Sequence, residues 1–204
     1  MKLPSLFQFR ILKLAITSIF GRAYTTKFPA VPFEPIKEFR GRPRYHEKDC
    51  IGCGACHEVC PSNCIDLVDE VKDGKGVRKL THHLDQCIEC AQCQRYCTTE
   101  KGIMLTNEWD FAGFAIADFQ EKVEKELVLC ECCGEILAPL DQIKWLANRL
   151  GPMAFCNPTL MLVSHKELAV VDKGFESSET EFPIRARRIN IQCPHCRRKT
   201  SVTA

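Results

Sequence analysis

Cys50, Cys53, Cys56 and Cys60 follow one another at spacings x2, x2 and x3, and Cys87, Cys90, Cys93 and Cys97 repeat the pattern. Thiolates are soft ligands, and three of them at x2–x2 wrap three corners of a [4Fe–4S] cubane. The fourth cysteine of such a run ligates the cluster of the other run. By that rule Cys50, Cys53, Cys56 and Cys97 hold one cluster, and Cys87, Cys90, Cys93 and Cys60 hold a second. Zinc sites use paired CxxC knuckles across a long gap, a different pattern. The chemistry to expect is electron transfer.

Cys130-x2-Cys133 and Cys193-x2-Cys196 form a different constellation. Two CxxC knuckles, each following a strand-like stretch, match a zinc ribbon and predict a closed tetrahedral site of four thiolates with a structural task. The 59 residues from 134 to 192 exceed the usual ribbon gap, so the module carries an insertion. Cys132, Cys156 and His195 are alternative ligands there, and a third iron–sulfur cluster is the rival reading. Cys64 reads as a core residue, because a free cysteine packs like a small hydrophobe. His57, His82 and His83 lie close to the cysteine runs in sequence, where a histidine can tune a cluster's potential or couple a proton, but they read as surface residues with no assigned role. A GxGxxG, a P-loop and a Ser/His/Asp constellation are all missing, so the sequence offers no substrate-binding active site.

The elements that position these residues can be outlined from pattern. Leu6 to Phe20 reads as an amphipathic helix, with Phe9, Leu12, Ile16 and Ile19/Phe20 on one face and Arg10, Lys13 and Thr17 on another. It is too short and too charged to span a bilayer or to serve as a cleaved signal, and reads as an interfacial or partner-docking helix. Pro29, Pro32 and Pro35 keep the following segment extended. Residues 50–67 and 87–105 form an internal repeat, each cysteine run followed by a strand-like tail. Asp73-Gly74-Lys75-Gly76 marks a turn between two short strands. Further on, Val123–Leu129 and Arg188–Ile191 read as strands, and Ile143–Leu150 as a short helix stopped by Gly151-Pro152. The expected fold class is α+β: a helix and extended docking segment over 1–40, a two-cluster ferredoxin-like domain over 41–110, and a zinc-ribbon-like module over 111–204.

Composition limits the setting. Fifteen cysteines in metal-ligand groups point to a reducing compartment rather than a secreted disulfide scaffold. A formal charge of +2, made more negative once thiolates bind metal, argues against nucleic acid as the main partner. The basic residues crowd into the first 48 positions, from Lys2 to Lys48, which suits contact with an anionic surface.

Taken together, these features resemble the dicluster iron–sulfur subunit shared by respiratory complex I and group 4 membrane-bound [NiFe] hydrogenases, nearest the hydrogenlyase-type and archaeal hydrogenase or sulfane reductase subunits. The resemblance is carried by the amphipathic start, Phe39-Arg40-Gly41, the two runs, Cys60-Pro61-Ser62-Asn63, Cys130-Glu131-Cys132-Cys133 and Cys193-Pro194-His195-Cys196. One departure is Thr98-Thr99 after Cys97, where the family usually has proline. The resemblance implies a non-catalytic peripheral-arm subunit on the cytoplasmic face of the cell membrane. It implies electrons taken from a donor such as reduced ferredoxin or a formate-oxidising module. They would pass to a small cluster subunit beside a catalytic large subunit, with the flow coupled to proton or sodium translocation. The N-terminal helix would dock on a membrane-arm subunit. A complex I-type quinone oxidoreductase subunit and a soluble low-potential carrier are the alternatives.

Overall fold

The computed structural model describes residues 8–21, 25–167 and 190–202. The chain forms two units, Met1–Glu38 and Phe39–Ala204. In the first, α1 (Phe9–Phe20) is uninterrupted by glycine or proline and ends at Gly21, whose N–H bonds the Thr17 carbonyl. Phe9, Leu14, Ile19 and Phe20 are exposed on it. Leu6, the expected start, lies outside the described residues. No helix among the described residues is long and apolar enough to cross a membrane.

The second unit contains a two-stranded and a four-stranded sheet. Strand β1 (Pro43–Tyr45) pairs antiparallel with β4 (Ile103–Leu105), Tyr45 opposite Ile103. Gly41, at the approach to β1, is forced by space: a Cβ there would meet the Thr106 and Glu108 carbonyl oxygens. Strands β2 (Ile65–Lys72) and β3 (Lys75–His83) form a hairpin. Its two central residues, Asp73 and Gly74, have φ of 49° and 74°. Left-handed backbone at both positions is the signature of the I′ turn whose twist suits paired strands. These strands run eight and nine residues, longer than the turn signal alone implied.

The repeat is visible in the backbone. One-turn helices α2 (Ala55–Glu58) and α3 (Gln92–Arg95) each carry the third cysteine of a run. Each is entered through a left-handed residue, Gly54 and Ala91 respectively.

Strand β5 (Gln120–Leu129) lies against β3 in antiparallel register, from Gly76 opposite Leu127 to His83 opposite Gln120. Strand β6 (Ile136–Pro139) follows, giving the order β2-β3-β5-β6. Val123, Lys125 and Leu127 point inward from β5, while Glu124 and Glu126 face solvent, the period-two pattern of a strand with one covered face. One sheet therefore draws on residues from both 41–110 and 111–204.

Helix α4 (Leu140–Leu150) starts nearly a turn before the expected Ile143, with Asp141 in its first turn where a carboxylate favours the helix dipole. Helices α5 (Pro158–Glu167) and α6 (Pro194–Val202) follow among the described residues. Beside the cluster of Cys130, Cys193 and Cys196, two larger apolar cores are seen there. Cys64, Ile65, Leu80, Ile103 and Val123 fill the space around the cysteine runs, and Ile143, Leu160, Leu162, Val163 and Ile191 pack the C-terminal helices. The strand expected at Arg188–Ile191 is not borne out in its described part. Arg188 lies outside the described residues, and Asn190 and Ile191 are irregular. Among the described residues Ile191 bonds Glu131, through its carbonyl to the Glu131 N–H and through its own N–H to the Glu131 carboxylate. The carboxylate thus takes the place a ladder partner would fill.

Candidate iron–sulfur and metal sites

The cysteines of the two runs surround two hollows. Hollow one, about 310 Å³, is lined by Cys50, Cys53, Cys56 and Cys97, with Tyr45, Leu80 and Ile103. Hollow two, about 320 Å³, is lined by Cys60, Cys87, Cys90 and Cys93, with Cys64, Ile65 and His82. Three cysteines of one run and the last cysteine of the other meet at each.

The halves match atom by atom. The Gly52 N–H bonds Cys50, and at the equivalent place the Glu89 N–H reaches Cys87 Sγ at 3.4 Å. Glu89 pays for this with left-handed backbone, φ 52°. The His57 and Gln94 amides bond Cys56 and Cys93. Burial pushes the Cys50, Cys56, Cys87 and Cys93 thiols up, Cys56 to about 11 and Cys93 to about 12. Cys60 and Cys97 behave differently. Burial raises them too, but hydrogen bonds outweigh it and leave both thiols lowered. The donors are Ser62 and the Cys64 amide at Cys60, and Thr99 with the Gly102 and Ile103 amides at Cys97. Thr99 thus supplies a polar donor in the segment where proline was expected.

Cys64 is a core residue, with its Sγ 3.4 Å from that of Cys60. Burial pushes its thiol up to about 12, and its sulfur shares a hydrogen bond with that of Cys60. Cations brace hollow one from behind. Arg78, paired with Asp69, donates to the Gly52 carbonyl at 3.1 Å. Lys125, buried on β5, donates to the Glu47 carbonyl and to Asp141 at 2.8 Å.

His82 corrects the sequence reading, which treated it as a surface residue. It is 1% exposed, and neither ring nitrogen has a hydrogen-bond partner. A signal was present: Leu80 must face inward on β3, and His82, two residues on, shares that face. Burial holds its imidazole down to about 4. His57 and His83 bond the Ile65 carbonyl and Asp66 instead.

The late knuckles converge as well. Cys130, Cys133, Cys193 and Cys196 place all four sulfurs within 4.8 Å of one another. Cys133 and Cys193 stand 3.7 Å apart. A tetrahedral ion with bonds of about 2.3 Å spaces its ligands about 3.8 Å apart. The Cys193 N–H bonds Cys130 Sγ at 3.2 Å, and the Cys196 N–H bonds Cys193 Sγ at 3.4 Å. Burial raises the Cys130 thiol, but the amides of Cys193, Cys133 and Cys132 bring it down to about 6. Cys132, Cys156 and His195 are exposed and stand outside the foursome. The first knuckle sits in the β5–β6 turn and the second opens α6, so only the first is carried by a hairpin.

Residues 49–101 match the 4Fe-4S dicluster domain family. Formate hydrogenlyase subunit 6 of Escherichia coli (strain K12) is 27% identical over 86% of this chain and 82% of its own. NADH-quinone oxidoreductase subunit I 2 of Geobacter metallireducens is 25% identical over 53% of this chain and 86% of its own. A chain from the structure of the membrane-bound sulfane sulfur reductase, an archaeal respiratory membrane complex, aligns at 22% identity with a TM-score of 0.39, over 56% of this chain and 59% of that one. The chain is an iron–sulfur electron-transfer protein with a ferredoxin-like 4Fe–4S domain. It is related to subunit 6 of formate hydrogenlyase and to subunit I of NADH-quinone oxidoreductase.

Proposed function

We propose that this chain relays electrons inside a larger membrane-associated oxidoreductase through two [4Fe–4S] clusters. Cys50, Cys53, Cys56 and Cys97 hold one, and Cys87, Cys90, Cys93 and Cys60 hold the other. Each cluster, when bound, accepts and passes on a single electron. The chain's own work is to fix the thiolates, aim amide N–H groups at them and exclude water. It carries no catalytic residue of its own. The observation that supports the reading is the lining of the two hollows, each by three cysteines of one run and the last of the other.

Cys130, Cys133, Cys193 and Cys196 hold one structural zinc. Their sulfur spacing supports a single ion, since a third cubane would spread its ligands around four irons. The relatives' names support a place among partner subunits. A donor such as ferredoxin supplies electrons, and a small cluster subunit beside a catalytic large subunit receives them. Docking on a membrane-arm subunit falls to α1, whose apolar side chains are exposed, on the cytoplasmic face.

Anaerobic purification tests the reading. We expect about eight irons and eight labile sulfides per chain, and two interacting EPR signals after dithionite. A chain with a single cluster, or with clusters that resist reduction, overturns it. Recovery of the native chain wholly in the soluble fraction and without partners overturns its place in a complex.

A further inference from the structure

His82 stands at the wall of hollow two, on the inward face of β3. A ring nitrogen, Cys64 Sγ and Cys87 Sγ all lie within 4.8 Å of one another. Both ring nitrogens are buried and unbonded. A buried imidazole left without partners is costly, so a side chain held there calls for an acceptor. Among the described residues no polar atom is a hydrogen-bond partner of either ring nitrogen. Tyr45 meets the imidazole edge-on at 6.4 Å between ring centres, as a packing neighbour. What the ring faces is the hollow and its sulfurs.

Hollow one has no counterpart from this strand. Its β3 residue is Leu80, and the polar donor there is Tyr45, whose hydroxyl lies 3.7 Å from Cys56 Sγ. On β3, therefore, hollow two carries a hydrogen-bond donor where hollow one carries an apolar side chain.

We propose that His82 donates a ring N–H to a sulfur of the cluster in hollow two and raises that cluster's reduction potential. A donor to sulfur stabilises the more negative, reduced state. The imidazole has an N–H to give in either protonation state, so the effect does not depend on its titration. The proposal rests on the two-cluster reading and adds a positioning residue to it.

The test uses the full chain, loaded anaerobically, with iron counted first. In an EPR-monitored redox titration, His82→Phe is expected to lower the midpoint potential of one cluster and leave the other in place. His82→Gln, which restores an N–H, is expected to recover part of the shift. Labelling only the ring nitrogens of histidine with ¹⁵N in the wild-type chain is expected to give an imidazole nitrogen coupling at one reduced cluster in pulsed EPR. Wild-type iron for only one cluster overturns both this proposal and the relay reading. With both clusters present, unchanged potentials in the loaded His82→Phe chain overturn the role of His82 alone. If that variant fails to load, a wild-type spectrum without histidine coupling does the same.

Discussion

Cys60 and Cys97 are the two run cysteines whose thiols are held low by neighbouring hydroxyl and amide donors. They are also the two proposed to cross between halves. Cys97→Ala is expected to remove one cluster, cutting iron from about eight to about four per chain. Cys64→Ala is expected to keep the full iron, because Cys64 lies outside both proposed ligand sets. Iron and sulfide analysis decides between these outcomes. Asp69 supplies a pH prediction. Its hydrogen bond to Arg78 holds the carboxyl below its ordinary value of 3.8. The pair's contribution is complete above that value and fades as pH falls through the lowered one. The gap in thermal stability between wild type and Asp69→Asn should therefore narrow in acid. Spacing made the cysteines legible, since x2–x2–x3 is itself the shape of the ligand loop. His82 was obscure because His82 and His83 are the same residue type. Only the strand register places one inside and the other beside Asp66.

Among the elements, the β2–β3 hairpin and β5 carry the measurable consequences. Gly74 has open space where a Cβ would sit, so its glycine is needed for the backbone alone. Gly74→Ala is expected to cost about 1 kcal/mol, roughly 2–4 °C in anaerobic melting for a chain of this size. Lys125 links β5 to the loop before Cys50 and to α4. Lys125→Met leaves the Glu47 carbonyl without its buried donor, and is expected to destabilise by about 1–3 kcal/mol in the same assay. The hairpin was readable from Asp73-Gly74, and β5 from the strand-like stretch Val123–Leu129. The pairing of β5 with β3 was not, because strand order depends on contacts across some forty residues of intervening chain and leaves no local mark. The expected strand before Cys193 failed for a related reason: Ile191 is apolar because it enters the C-terminal core, and that burial imitates a strand.

At the scale of the whole molecule, the late knuckles bring the β5–β6 turn together with the start of α6. Metal analysis is expected to find about one zinc per chain, with iron no higher than two clusters require. Cys193→Ser is expected to lose that zinc while the iron stays. Iron content near twelve per chain in the wild type would favour a third cluster instead. The middle place of β3, between β2 and β5, also sets an order on biogenesis. A nascent chain that has emerged only as far as residue 110 has both cysteine runs but an open β3 edge, the kind that recruits other strands. Shielding of that edge waits for Leu127, the last β5 residue paired with β3, so the last third of the chain is what turns β3 from an edge strand into an interior one.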